Sequence, residues 1–273
     1  MLRAQLRLEA ARRHDRHCQL CEHRCGADRA RGERGPCHAG VEARVFRHRV
    51  EYGEELELTP CHLFYLSGCD LRCAFCVAEA NAFDPKRGEL LTPEYFRLAV
   101  ELGRTQCPKT LQWVGGEPTI HLPRILEVMA ESGPLPPIVW KSDFHGTPEA
   151  FELLDGIADW YVADLKFGND DCAKRIARVD HYWAIVTRNL ERVAGSGTLI
   201  VRHLLLPGHA ECCYGPIVAW LAERLPQVRF SLRHGYLPRW RAGQFADLNR
   251  YLSPGEAAAA RERAEAAGLQ LVR

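Results

Sequence analysis

Between residues 63 and 232 the chain alternates short apolar runs with longer stretches in which apolar residues recur every three or four positions. The runs at 63–66, 110–114, 138–141, 160–165, 199–205 and 228–232 have the length and the apolar, β-branched and aromatic content of buried strands. The stretches at 93–103, 121–132, 148–154, 181–193 and 211–224 have the period of helices. Thr92-Pro93 and Thr147-Pro148 each supply a capping hydroxyl followed by proline at the first helical position. Apolar strands joined by helical crossovers of this length predict a mostly parallel sheet covered by helices, an α/β class. A last helix at 254–267 and a strand-like 269–272 finish this core. Ahead of it come an Arg-rich terminal helix, a cysteine-rich stretch, and a weak alternation (Val41, Ala43, Val45, Val50, Tyr52) that predicts a hairpin over 41–60. Thr59, held extended by Pro60, ends that hairpin and sets the domain boundary: 1–60, then 61–273.

Chemistry concentrates where the first core strand stops. In CHLFYLSGCDLRCAFC, Cys69, Cys73 and Cys76 follow the apolar run directly. A structural zinc takes four ligands, so a zinc reading must recruit Cys61; a cubane iron-sulfur cluster on three cysteines leaves one iron open. Upstream, Cys18, Cys21, Cys25 and Cys37 sit among too few apolar residues to form a core and read as a self-contained metal module, holding zinc or a second iron-sulfur cluster. His17, His23 and His38 beside them read as exposed. The second strand runs into Gly115, Gly116, Glu117 and Pro118, where glycine permits close approach of backbone and Glu117 suits a loop amide or a substrate amine. Asp164 and Lys166 flank Leu165 at a strand end and project to one side, as a site or as a surface ion pair. Arg202 interrupts an apolar strand and requires a buried anion or a ligand, with His203 facing the other way. The vicinal Cys212-Cys213 reads first as ordinary helix packing and second as a redox or metal pair.

The spacing CxxxCxxC, with Phe75 before its last cysteine and the Gly-Gly-Glu-Pro run after the next strand, resembles the signature of the radical S-adenosylmethionine (radical SAM) superfamily. The triplet Asp164-Leu165-Lys166 and the run RHLLLPGH resemble relatives of pyruvate formate-lyase activating enzyme that carry a four-cysteine prefix. The likeness extends from Cys18 to about Pro238. It implies a partial (β/α)6 barrel with a small N-terminal cysteine-rich metal-binding module, and a site at the carboxyl ends of the strands. It implies that Cys69, Cys73 and Cys76 hold a 4Fe-4S cluster whose open iron chelates S-adenosylmethionine. Phe75, Gly115, Gly116, Glu117, Ser142, Asp164, Lys166, Arg202 and His234 would then hold S-adenosylmethionine, with Lys166 and Arg202 catalytic and Asp164 at a monovalent cation. The implied oxidoreductase takes one electron from a donor such as flavodoxin or ferredoxin and cleaves S-adenosylmethionine to a 5′-deoxyadenosyl radical. That radical abstracts hydrogen from a glycyl-radical enzyme or, alternatively, from a small metabolite or a peptide. A non-catalytic iron-sulfur or zinc-binding structural protein is the reading from another class. Two stretches depart from the activating-enzyme pattern: Lys141-Ser142-Asp143 replaces an Asp-Thr or Asn-Thr pair, and Arg233, His234 and Tyr236 occupy a variable segment.

Charge narrows the partners. With 36 basic and 35 acidic side chains the net charge is +1, which gives no electrostatic case for nucleic acid. No apolar run reaches the roughly 17 to 25 residues of a membrane span, and the opening stretch lacks the apolar core and cleavage site of a secretory signal. Twelve cysteines in short clustered spacings then read as metal ligation in a reducing, cytoplasmic compartment.

Overall fold

Residues 2–195 and 198–272 are described by a computed structural model, in which the chain divides into two units. The first comprises the residues through Asp70 together with Ala78–Trp160, the second Leu71–Val77 together with the residues from Tyr161 onward. No helix among the described residues is long and apolar enough to cross a membrane.

The first unit contains α1 (Leu2–Arg12), β1 (Arg44–Glu51), β2 (Cys61–Leu66), α2 (Glu79–Ala82), β3 (Glu89–Leu90), α3 (Pro93–Arg104), β4 (Thr110–Gly115), α4 (Leu122–Ala130), β5 (Ile138–Ser142) and α5 (Pro148–Leu154). Its strands are ordered β3-β1-β2-β4-β5. β2, β4 and β5 run parallel, while β1 is antiparallel to both its neighbours. Every residue of β5 and all but Tyr65 of β2 are buried, as expected of parallel strands covered on both faces. Phe64, Phe96 and Trp113 form the aromatic centre of this core, with ring centroids 5.2 to 5.3 Å apart. The two Thr-Pro helix starts behave as predicted, Thr92 Oγ1 accepting from Tyr95 N and Thr147 Oγ1 from Ala150 N. Register matters most at the carboxyl ends: Leu66 of β2 lies opposite Gly115 of β4, so the cysteine and glycine loops leave the sheet side by side.

The second unit contains β6 (Trp160–Asp164) from its second residue on, α6 (Asp170–Ala177), α7 (Tyr182–Ala194), β7 (Thr198–Leu204), α8 (Gly215–Arg224), β8 (Arg229–Arg233), α9 (Pro254–Ala266) and β9 (Gln270–Leu271). The strand order is β6-β7-β8-β9, with β7, β8 and β9 parallel. Tyr182, Tyr214, Phe167 and Phe230 are its largest fully buried side chains.

Two expectations are corrected, and one helix lies outside them. The 41–60 hairpin is a single strand, β1, whose partner is the first core strand β2; Val45 and the alternation beyond it match β2 rather than a return strand within 41–60. The predicted helix over 211–224 begins as a π-helical turn, Ala210–Tyr214, before α8. α6 went unpredicted because its eight residues carry two aspartates and no long apolar side chain but Ile176, too little for a periodic signal.

Candidate functional site

In the first unit the site is built by two loops bonded edge to edge. Gly116 N donates to Leu66 O at 2.7 Å, and Glu117 N to Gly68 O at 2.9 Å. Glycine is required at both positions of the second loop. A Cβ on Gly116 would lie 1.8 Å from Gly68 O, and Gly115 has φ of +126° with its Cβ position 2.1 Å from Leu66 N. Cys69 follows this contact immediately and is buried. His121, also buried, adds a 2.7 Å bond to Ser67 O. Burial pushes this imidazole down to about 4.

Glu117 is a bracket between β4 and β5. Its Oε1 accepts from Thr119 N at 2.9 Å and Ser142 Oγ at 2.8 Å, and its Oε2 from Asp143 N at 2.9 Å. Burial, followed by the Asp70 carboxylate, pushes its pKa up. Of the two roles expected for Glu117, the loop amide is the one these bonds fill. Ser142 is thereby part of the same bracket, and its Oγ also accepts from Phe144 N. Lys141 turns away from it, its Nζ paired with Glu54 and, at 3.4 Å, with Glu55.

In the second unit, Asp164 stands between two cations. Arg202 Nε donates to its Oδ1 at 2.6 Å and Lys166 Nζ to its Oδ2 at 2.7 Å. All three are about one-fifth exposed. Burial pushes the Asp164 carboxyl up, but the Arg202 and Lys166 charges outweigh it and hold the group well below the usual carboxylate range. Asp164 is the anion that Arg202 required, and both its oxygens are taken by cationic side chains. His203 faces the other way, bonded to Leu165 O at 2.7 Å and stacked on Tyr214. Phe75 is buried with its ring 6.4 Å from Phe167 and 6.0 Å from Tyr236. Tyr236 spends its hydroxyl on Leu248 O, and His234 is exposed. Cys73 is buried and Cys76 half-buried, with Cys76 N donating to Cys73 O at 3.0 Å.

The N-terminal cysteine stretch is knitted into the first unit. Arg29 Nη1 donates to Ile120 O at 2.7 Å, Glu22 N to His145 O, and Thr147 Oγ1 to Gln19 O. Cys21 and Cys37 pack with Ala39 and Ile120, Cys18 is buried and Cys25 exposed. Burial pushes the Cys18, Cys21 and Cys37 thiols up.

The sequence reading missed Asp70 and His145. Asp70 is buried beside Cys69, with Oδ2 3.0 Å from His145 Nδ1, its backbone oxygen 3.0 Å from His23 Nε2, and Oδ1 without a hydrogen-bond partner among the described residues. Cys69, Asp70 and Asp143 place ligand atoms within 4.8 Å of one another. Only the backbone fold reveals this, because 75 residues separate Asp70 from His145.

Cys69, Cys73 and Cys76 are a donor set that fits an iron-sulfur cluster. Three thiols fall within one eight-residue stretch, and among the described residues none of the cysteines forms a disulfide. The backbone just ahead of Cys69 is held against the next loop by two glycines at which no Cβ fits.

A model of the radical SAM superfamily matches residues 63–221. An uncharacterized protein of Methanocaldococcus jannaschii is 32% identical over 274 residues, covering 98% of this chain and 80% of that one. Among solved structures, Streptococcus suis SuiB superposes with a TM-score of 0.53 at 13% identity, over 77% of this chain and 47% of SuiB. The chain thus spans about half the length of SuiB. The anSMEcpe structure with bound AdoMet and Cp18Cys peptide gives 0.54 at 11% identity, over 75% of this chain and 60% of that one. At these identities the two structures establish the fold.

Proposed function

The chain belongs to the radical SAM superfamily, and from that premise we propose that it generates a 5′-deoxyadenosyl radical to abstract hydrogen from a polypeptide segment. When bound on Cys69, Cys73 and Cys76, the cluster supplies the electron that splits S-adenosylmethionine into methionine and that radical. The chain's own residues supply position and charge. Gly115 and Gly116 let the loop close on the backbone just ahead of Cys69, and Glu117 fixes that loop to the end of β5. Lys166 and Arg202 offer positive charge to the methionine carboxylate, with Asp164 fixing the distance between them.

The bonding of the glycine loop to the backbone just ahead of Cys69 carries this reading, since it puts the ligand-binding loop and the first thiol under one constraint. A polypeptide substrate is favoured because both structural neighbours were solved with peptides, SuiB with its precursor SuiA and anSMEcpe with Cp18Cys peptide. A loop of a glycyl-radical enzyme is a substrate of the same class. The test is electron paramagnetic resonance on anaerobically reduced protein with S-adenosylmethionine and candidate peptides or glycyl-radical partners. A substrate-centred radical that appears only with such a partner supports the proposal. Turnover stimulated by a small-metabolite pool and by no polypeptide refutes it.

A further inference from the structure

Four metal-ligating side chains outside the site described above converge in the second unit. Cys172 lies in the first turn of α6, whose N-cap is Asn169. His209 precedes the π-helical turn that carries Cys212 and Cys213. The Cys172 and Cys212 sulfurs are 3.8 Å apart, and His209 Nδ1 lies 3.2 Å from Cys212 Sγ and 3.6 Å from both Cys172 Sγ and Cys213 Sγ. All four ligand atoms fall within 4.8 Å of one another.

These distances match one small tetrahedral ion. With sulfur at about 2.3 Å and nitrogen at about 2.0 Å from zinc, tetrahedral angles put two sulfurs about 3.8 Å apart and sulfur and nitrogen about 3.5 Å apart. A disulfide would bring two sulfurs to about 2.05 Å. A cubane cluster would spread them, because each thiolate binds a different iron. An α-helical turn would aim adjacent side chains about 100° apart. The widened turn, in which Cys213 N and Tyr214 N both donate to His209 O, instead leaves both sulfurs close to one imidazole nitrogen.

The surroundings complete the case. His209 Nε2 lies 3.0 Å from Asp247 Oδ2, so the carboxylate accepts the Nε2 proton and the Nδ1 lone pair faces the sulfurs. Arg175 Nη2 is 3.3 Å from that same nitrogen, but its two terminal nitrogens bond the Asp247 oxygens at 2.6 and 3.3 Å and hold the carboxylate in place. Asn169 Nδ2 points at Cys213 Sγ from 3.7 Å. Cys172, His209 and Cys213 are buried, and Cys212 is exposed.

We propose that Cys172, His209, Cys212 and Cys213 bind one zinc ion in a closed structural site that ties α6 to the His209 turn, with Asp247 orienting the histidine. Four protein ligands leave no position for substrate, so the ion stabilises the fold and takes no part in radical chemistry. The test uses the full chain, purified anaerobically from zinc-supplemented cells, with zinc counted per chain. Cys212→Ser/Cys213→Ser should lose one equivalent that Cys18→Ser/Cys37→Ser retains. His209→Cys, which keeps four ligands, should also retain it, and Asp247→Asn should weaken zinc affinity about tenfold to a hundredfold. If the double serine variant fails to fold, cobalt loaded into the Cys18→Ser/Cys37→Ser variant should show tetrahedral thiolate charge-transfer bands. Unchanged zinc in the folded double variant, iron in place of zinc, or absence of those cobalt bands would overturn the proposal.

Discussion

The two units put their polar side chains to different uses. In the first, polar side chains serve backbone geometry: Glu117 and His121 spend their bonds on loop amides, a hydroxyl and a carbonyl, and the glycines exist to be approached. In the second, polar side chains serve charge: Asp164, Lys166 and Arg202, each about one-fifth exposed, form a triad with two cations and one anion. A shape-based half tolerates almost no added atom, whereas a charge-based half tolerates substitution at the expense of affinity. Mutations in the two units should therefore fail in different assays.

Gly116→Ala should have the largest effect. Its Cβ would enter Gly68 O, and relieving that overlap requires the cysteine loop to move, at a cost on the order of 3 kcal/mol. Iron content after anaerobic reconstitution should drop with it. Full iron in a Gly116→Ala protein of unchanged stability would break the comparison on its geometric side.

Acid should act on both units, because each carries buried histidines whose charged form burial disfavours. Burial pushes His62 and His121 in the first unit and His203 in the second down to about 4. Since the folded pKa lies below the unfolded value, the unfolded chain takes up the proton first. Stability is then intact above about pH 6.5 and lost as pH falls from there towards 4. At pH 5 each should have cost about 2 kcal/mol. Denaturant unfolding at pH 7 and pH 5 measures this, and His121→Asn or His203→Asn should each shrink the difference between the two.

The charge half should show the smallest and most selective effect. Lys166→Ala and Arg202→Ala should each weaken S-adenosylmethionine binding about tenfold, on the order of 1.4 kcal/mol, with iron content unchanged. Unchanged binding isotherms would leave the triad as a surface ion network without a ligand.

How much of this was legible in the sequence depended on whether the signal was local. The parallel strands and their crossover helices showed through periodicity, and the Thr-Pro starts through capping chemistry. Arg202 announced its need for an anion, and the fold supplied Asp164. The Glu117 bracket was half legible: a glutamate after two glycines suggested a loop amide, but its partners Ser142 and Asp143 come from the next strand. Asp70 with His145, and Cys172 with His209, were not legible, because 75 and 37 residues separate the partners and only chain topology brings them together. Cys212 and Cys213, first read as ordinary packing, illustrate the same limit: vicinal cysteines acquire a ligand geometry only once α6 and the π turn are placed.

The central claim is that Cys69, Cys73 and Cys76 support reductive cleavage of S-adenosylmethionine. Its most direct measurement is 5′-deoxyadenosine formed by anaerobically reconstituted, dithionite-reduced protein, compared with a Cys73→Ala variant treated identically. The account predicts product from the wild-type chain and only background from the variant; equal product from both, or none from a fully iron-loaded wild type, would contradict it.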